Sequence, residues 1–321
     1  MATMNPISPF LQQQGMLVLD GGLATELEQR GHDLNGALWS ARLLAEAPDV
    51  IRQVHLDYYR AGADCCISAS YQATISGFVQ WGMSAEAARE LIARSVRLVA
   101  EARDAFWAVE QNRVGRLRPI VAASVGPYGA YLADGSEYSG AYDLDENGLL
   151  DFHAERWGIL AGDEADILAC ETIPSFAEAR ALLRLLDDTP DVYAWFSFSC
   201  RDGRHISDGT PIAECAALLT DHERVAAIGI NCTPPRFIPD LIRAVRSVTT
   251  KPVIVYPNSG ETYDPIEKRW LGQSVPTEFG TLGYQWHALG ADLIGGCCRT
   301  TPEHVHQIRD RVQKHPPINS L

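Results

Sequence analysis

The chain has 321 residues, 46% of them hydrophobic and 21% charged, with 27 basic against 41 acidic side chains and a formal net charge of −14. That negative excess repels nucleic-acid phosphates and anionic membrane surfaces, the apolar content supplies a large core, and no apolar run reaches the ~20 residues of a membrane span. Eight cysteines are too sparse for a disulfide scaffold, and the N-terminus lacks a basic stretch followed by an apolar one, so the expectation is a cytoplasmic protein in a reducing compartment.

Short apolar runs recur at 17–22, 65–70, 120–126, 166–172, 194–200, 226–232, 253–256 and 292–298. Each is nearly continuous in apolar or small residues, as in strands covered on both faces. Helical patterns lie between them. Segment 47–61 has Pro48 at its start and Val50, Ile51, Val54 and Leu56 on one side. Segment 84–109 opens on Ser84-Ala85-Glu86 and is rich in Ala, Leu and Arg. Segment 176–186 follows Ser175, and 302–312 follows Thr300-Thr301 with Pro302 at a first helical position. Eight such alternations without a composition break predict an α/β fold, a (β/α)8 TIM-type barrel forming one domain over 1–321 with its core at roughly 17–314. A doubly wound open sheet is the alternative, weakened by the lack of a Gly-x-Gly-x-x-Gly turn after the first run.

Long loops at 127–145, 201–210 and 258–276 follow the third, fifth and seventh runs. They leave strand C-terminal ends, the face that carries the active site in a barrel. The first holds Tyr128, Tyr131, Tyr138 and Tyr142, either surface tyrosines or walls of a binding site.

Polar residues gather where the runs end. Asp20 closes Leu17-Val18-Leu19 and precedes Gly21-Gly22, which lets backbone approach a ligand closely. Glu171 and Thr172 close the fourth run, Asn231 stands beside Cys232, and Asn258 to Glu261 follow the seventh. Asp20 and Glu171 read as ligand-binding carboxylates, with helix capping or a buried ion pair as the other reading. Cys232 ends the sixth run, and Cys297-Cys298 end the eighth. If the side chains reach across the seventh strand, three thiols converge. Three thiolates with one open position describe a catalytic zinc site, against core packing or incidental thiols. Cys65, Cys66, Cys170, Cys200 and Cys215 read as core or surface thiols, and His55 and His153 as packed or solvated helix residues. Zinc among three thiolates carries net negative charge and is a poor Lewis acid for carbonyls. It can instead take an incoming thiol as fourth ligand and hold it deprotonated, where a free thiol with a pKa of about 8.5 is mostly protonated at neutral pH. The chemistry suited to such a site is alkyl transfer to a thiol.

Several stretches together resemble the homocysteine S-methyltransferase family: Leu19-Asp20-Gly21-Gly22-Leu23-Ala24-Thr25-Glu26-Leu27, Val54-His55-Leu56-Asp57-Tyr58-Tyr59-Arg60-Ala61-Gly62-Ala63-Asp64, Ser68-Ala69-Ser70-Tyr71-Gln72-Ala73-Thr74, Ala169-Cys170-Glu171-Thr172, Gly229-Ile230-Asn231-Cys232, Tyr256-Pro257-Asn258-Ser259-Gly260-Glu261 and Ile294-Gly295-Gly296-Cys297-Cys298-Arg299. The resemblance covers essentially the whole chain and implies a zinc-dependent barrel that passes a methyl group to homocysteine, forming methionine. It implies Cys232, Cys297 and Cys298 as zinc ligands, Glu171 as the partner of the homocysteine amino group, and Asp20 with the Gly21-Gly22 backbone as pocket lining. Segment 124–138 resembles the branch that uses S-methylmethionine, and sometimes S-adenosylmethionine, as donor. Thr172 stands where betaine-using relatives have Tyr, and their C-terminal extension is not seen. A sulfonium donor suits aromatic faces, which makes Tyr71, Tyr128 and Tyr131 candidate walls beside Asn231. The partners expected are these small molecules, with no nucleic acid or membrane, and the state a monomer or small homo-oligomer. Two readings from other classes stand beside this one: a non-catalytic zinc- or thiol-binding barrel, and a thiol redox protein, for which Cys297-Cys298 is an unfavourable pair.

Overall fold

Every predicted run contains a strand: β1 Leu17–Val18, β2 Cys65–Ile67, β3 Ile120–Val125, β4 Ile167–Ile173, β5 Ala194–Phe198, β6 Val225–Asn231 and β7 Val253–Tyr256, then, after an antiparallel pair β8 Thr262–Asp264 and β9 Arg269–Leu271, β10 Leu293–Ile294. The computed structural model describes residues 4–34, 38–162, 164–264, 269–272 and 274–314, so positions 265–268 and 273 of the predicted 258–276 loop lie outside the described residues. Eight of the strands form one parallel sheet in the order β1-β10-β7-β6-β5-β4-β3-β2. Its two ends meet. Leu19 bridges Cys65 in parallel, and the Asp64 and Asp20 amides donate to Val18 and Cys65 carbonyls at 2.7 and 3.1 Å. The fold is a (β/α)8 barrel, and an open doubly wound sheet, whose edges stay apart, is excluded.

The strands are buried throughout because each presents one set of side chains to the lumen and the other to the helices. Leu17, Ile120, Ala169, Trp195, Ile254 and Tyr256 pack in the lumen, while Val18, Val121, Cys170, Phe196 and Ile228 pack under the helices. Ile7 and Phe10, flanking the start of the helix Ser8–Gln14, are buried in the lumen cluster, so the packed core begins ahead of residue 17. The predicted helices are present as Pro48–Ala61, Ala85–Trp107, Phe176–Asp187 and Pro302–Lys314. Ser84 and Ser175 cap two of them, accepting from Ala87 and Glu178 amides.

β1 and β10 are shorter than the apolar runs that encode them, because the chain leaves the sheet early at the C-terminal mouth to build loops there. The 127–145 segment is also not a plain loop: it folds as the helix Tyr128–Leu132 and a 3-10 turn Ser136–Tyr138. Among the described residues no helix is long and apolar enough to cross a membrane.

Candidate active site

Cys232 follows the last residue of β6, and Gly295-Gly296 carry the chain from β10 to Cys297-Cys298. β7 lies between those strands, and its end organises both thiol-bearing loops. The Cys232 amide donates to the Tyr256 carbonyl at 3.3 Å, Cys297 to Pro257 at 2.8 Å, and Ser259 to the Cys298 carbonyl at 3.0 Å. Cys232 (φ 47°) and Arg299 (φ 66°) sit in the left-handed region, costly for residues with a Cβ and characteristic of functional sites. A Cβ at Gly22 would come within 2.7 Å of the Cys297 carbonyl oxygen, so only glycine lets β1's loop lie against the cysteine loop. The Gly22 amide donates to Thr300 Oγ1 at 3.1 Å, and Thr300 Oγ1 donates to the Cys297 carbonyl at 2.7 Å.

The three sulfurs converge as the sequence predicts, within 4.8 Å of one another, with Cys232 and Cys298 Sγ atoms 3.9 Å apart. Thiolates around a tetrahedral Zn²⁺ with Zn–S of ~2.3 Å stand about 3.8 Å apart, so the donor set fits zinc in chemistry, and the Cys232–Cys298 pair fits it in spacing. Here Cys232 and Cys297 are joined as a disulfide with Cα atoms 5.5 Å apart; a metal requires both as thiolates. The bonded pair is thus not the adjacent Cys297-Cys298. Burial pushes the free Cys298 thiol up to about 11, a bias that a bound cation reverses.

Across the mouth stand two carboxyls. Glu171, at the end of β4, is 8% exposed and points into the lumen, where it accepts from Ser124 Oγ and is faced by the Tyr256 hydroxyl. Burial raises it to about 7 despite those donors. Asp20 is also raised, by burial first and then by the charge of Glu171, although the Ile67 amide donates to it at 2.8 Å. Asp20 caps no helix: Leu23–Gln29 starts at Gly22 without a side-chain cap. Neither carboxyl has an ion-pair partner among the described residues. Behind Asp20 lie His55 and Cys66, ligand atoms within 4.8 Å, all buried. His55 has no hydrogen-bond partner on either ring nitrogen among the described residues. Burial lowers it to about 3, so it is neutral and gives Asp20 no counter-charge.

The other sequence candidates take different places. Asn231 is engaged within the protein: its Oδ1 accepts from the Thr172 amide and its Nδ2 donates to Thr172 Oγ1, both at 2.7 Å. It thereby holds Thr172 at φ 59° beside Glu171. Tyr71 reaches Thr172 with its hydroxyl and feels the charges of Glu137 and Glu171. Tyr128 packs with Tyr131, Tyr142 and Phe152, ring centroids 4.9–5.9 Å apart, and its amide donates to Glu178 at 2.6 Å. Reading by residue type passed over Glu137 and did not single out Tyr138 among the loop tyrosines. The 3-10 turn turns both toward the mouth, and burial, then the Cys298 and Glu137 charges, raise the Tyr138 phenol. Their only signal was the run Gly135-Ser136-Glu137-Tyr138 inside the branch-like segment.

A parallel barrel whose C-terminal mouth sets three cysteine sulfurs beside two carboxyls lacking a cation is the layout of a thiol-handling barrel enzyme. The homocysteine S-methyltransferase family pattern matches residues 17–312. The homocysteine S-methyltransferase YbgG of Bacillus subtilis is 55% identical over 305 residues, covering 95% of this chain and 97% of its own. The crystal structure of the homocysteine methyltransferase MmuM of Escherichia coli in its metallated form superposes with a TM-score of 0.86 at 46% identity, covering 96% of this chain and 100% of that one. Its oxidized form gives 0.87 at 45% identity over the same spans. The chain belongs to the homocysteine S-methyltransferase family, and it is an enzyme of that family.

Proposed function

We propose that this enzyme is a zinc-dependent homocysteine S-methyltransferase whose methyl donor is a sulfonium, S-methylmethionine in preference to S-adenosylmethionine. The observation that carries the reading is the convergence of Cys232, Cys297 and Cys298 sulfurs within 4.8 Å of one another, facing Asp20 and Glu171. Zinc held by these sulfurs when reduced would take the homocysteine thiol as fourth ligand and keep it deprotonated. Glu171 and Asp20 then receive the homocysteine ammonium, which supplies the cation both lack. The Gly21-Gly22 turn lines the pocket as backbone, and Asn231 holds the Glu171-Thr172 turn in place. Tyr71 and Tyr128 wall the donor side.

The chemistry asks little more of the protein. A carbon–sulfur bond forms at the acceptor as the donor's breaks, the electron pair stays on the donor sulfur, and a neutral thioether leaves. The thiol proton goes to solvent, so no general acid is needed, and catalysis rests on alignment and thiolate activation. The same reading has one domain working in the cytoplasm on small molecules, as a monomer or small homo-oligomer, because thiolates persist in a reducing compartment.

Initial rates with homocysteine and each donor at matched, subsaturating concentration test it. The expected order is S-methylmethionine, then S-adenosylmethionine, with no turnover of betaine. Preference for S-adenosylmethionine would overturn the ranking, and turnover with betaine alone would overturn the sulfonium class.

A further inference from the structure

Two side chains at the mouth have no role in the scheme above. The turn Ser136–Tyr138 is fixed rigidly: the Ser199 hydroxyl, just past β5, donates to the Glu137 carbonyl at 3.0 Å. On its other side any side chain at Gly129 would strike the Glu137 amide. From this turn Glu137 points its Oε2 into a buried position with no hydrogen-bond partner among the described residues. A buried acceptor left unmade is costly, and Glu137 has no ion pair among those residues. Burial accordingly raises its carboxyl. Its surroundings place it. Gln72, next to Tyr71, donates its Nε2 to the carbonyl of Ala130 at 3.0 Å, and Ala130 adjoins Gly129, which abuts the Glu137 amide. After burial, the Glu137 charge is among the influences that raise the Tyr71 and Tyr138 phenols. The carboxyl therefore stands at the C-terminal mouth of the barrel, on the side of Tyr71. Tyr138 is 51% exposed, open enough for a ligand to reach its ring, in a concavity dense enough to raise its phenol. A carboxylate with backbone donors but one oxygen left free, among tyrosine rings and with no basic side chain paired with it among the described residues, is a site for a cation without N–H groups. A ring face and a charge attract such a cation, and neither needs directional bonds.

We infer that Glu137, with the rings of Tyr138 and Tyr71, binds the positive sulfur of the methyl donor. This rests on the sulfonium reading above. The division of labour follows from position: Asp20 and Glu171 take the acceptor's ammonium deep in the barrel, and Glu137 takes the donor's sulfonium at the mouth. Transfer removes the sulfonium charge, so the attraction disappears in the product, and the thioether is released from a site built for a cation.

Glu137→Gln keeps the volume and removes the charge. In the zinc-loaded full-length enzyme its KM for S-methylmethionine should rise ten- to hundredfold. Calorimetric binding of S-methylmethionine without homocysteine should weaken by the same factor. The homocysteine KM, zinc content and melting temperature should match wild type. Tyr138→Phe should keep the wild-type donor KM, and Tyr138→Leu should raise it severalfold. A donor KM that rises less than fivefold in Glu137→Gln, or a parallel rise in the homocysteine KM, overturns this assignment and leaves the donor class standing. Failure of the wild-type enzyme to use either sulfonium would overturn the donor class itself, and the Glu137 role with it.

Discussion

Glu171 titrates near neutrality because burial outweighs the stabilisation from Ser124 and Tyr256. Its folded pKa of about 7 lies above the 4.5 of a free carboxyl, so between those values the unfolded chain has already lost a proton that the empty enzyme keeps. The empty enzyme therefore loses stability from this group as pH rises through that window. Binding runs the other way. The charged form is the one that holds an ammonium, so the homocysteine KM should fall as pH rises through about 7. Glu171→Gln should abolish that dependence and lower kcat/KM by roughly ten- to hundredfold, the worth of a charge-assisted hydrogen bond of about 1.5–3 kcal/mol. A KM profile as steep in Glu171→Gln as in wild type would remove Glu171 from this role. The cysteines divide as sharply. Cys298→Ser should lose most zinc by elemental analysis, whereas Cys65→Ser, in the lumen core, should keep it. Full zinc content in Cys298→Ser would defeat the ligand assignment.

At the scale of elements, the 127–145 segment is held by a buried cluster that its own sequence does not announce. Glu178, on the helix Phe176–Asp187, accepts from the Tyr128 amide at 2.6 Å and pairs with His153 Nε2 at 2.8 Å. Arg156 donates to the Gly126 carbonyl at 2.5 Å and to His153 Nδ1 at 2.8 Å. With Nδ1 accepting, the His153 proton sits on Nε2 and points at Glu178, and burial keeps the ring from charging. Glu178 and His153 are fully buried, so the cluster fixes the start of the helix Tyr128–Leu132 and hence the turn that carries Glu137. Glu178→Ala should cost about 1–3 kcal/mol in urea unfolding and open 127–145 to limited proteolysis, while zinc content stays at wild type. Unchanged cleavage kinetics would show that the segment is held by other contacts.

At the scale of the whole molecule, ring closure has its own anchor. Asp64, fully buried just before β2, accepts from the β1 amide of Val18 at 3.0 Å and pairs with Arg116 at 3.3 Å and with Arg309 of the last helix. Asp64→Asn takes the carboxylate from two guanidinium groups at once, leaving Arg116 and Arg309 only neutral acceptors, and should cost about 3–5 kcal/mol of unfolding free energy; a loss below about 1 kcal/mol would mean the ring closes without it. The eight strands and the site cysteines were legible in the sequence because both signals are local. Continuous apolar runs mark strands covered on two faces, and Asp20, Glu171 and Cys232 stand at the ends of such runs. The seating of Ile7 and Phe10 in the lumen, the Glu178 cluster and the buried Glu137 oxygen were not legible, since each depends on residues far apart in the chain. The early exit of β1 and β10 from the sheet belongs with them: glycine at 22 permits it, but only the carbonyl of Cys297 pressed against it requires it. By itself, then, the sequence determined the class of fold, the family resemblance and the chemistry of the donor atoms, because periodicity and residue type encode those directly. Tertiary structure alone decided which backbone bonds tie the two thiol-bearing loops to the end of β7, how closely the three sulfurs approach, and which carboxyls are left without a cation, because proximity and desolvation exist only once the ring is closed.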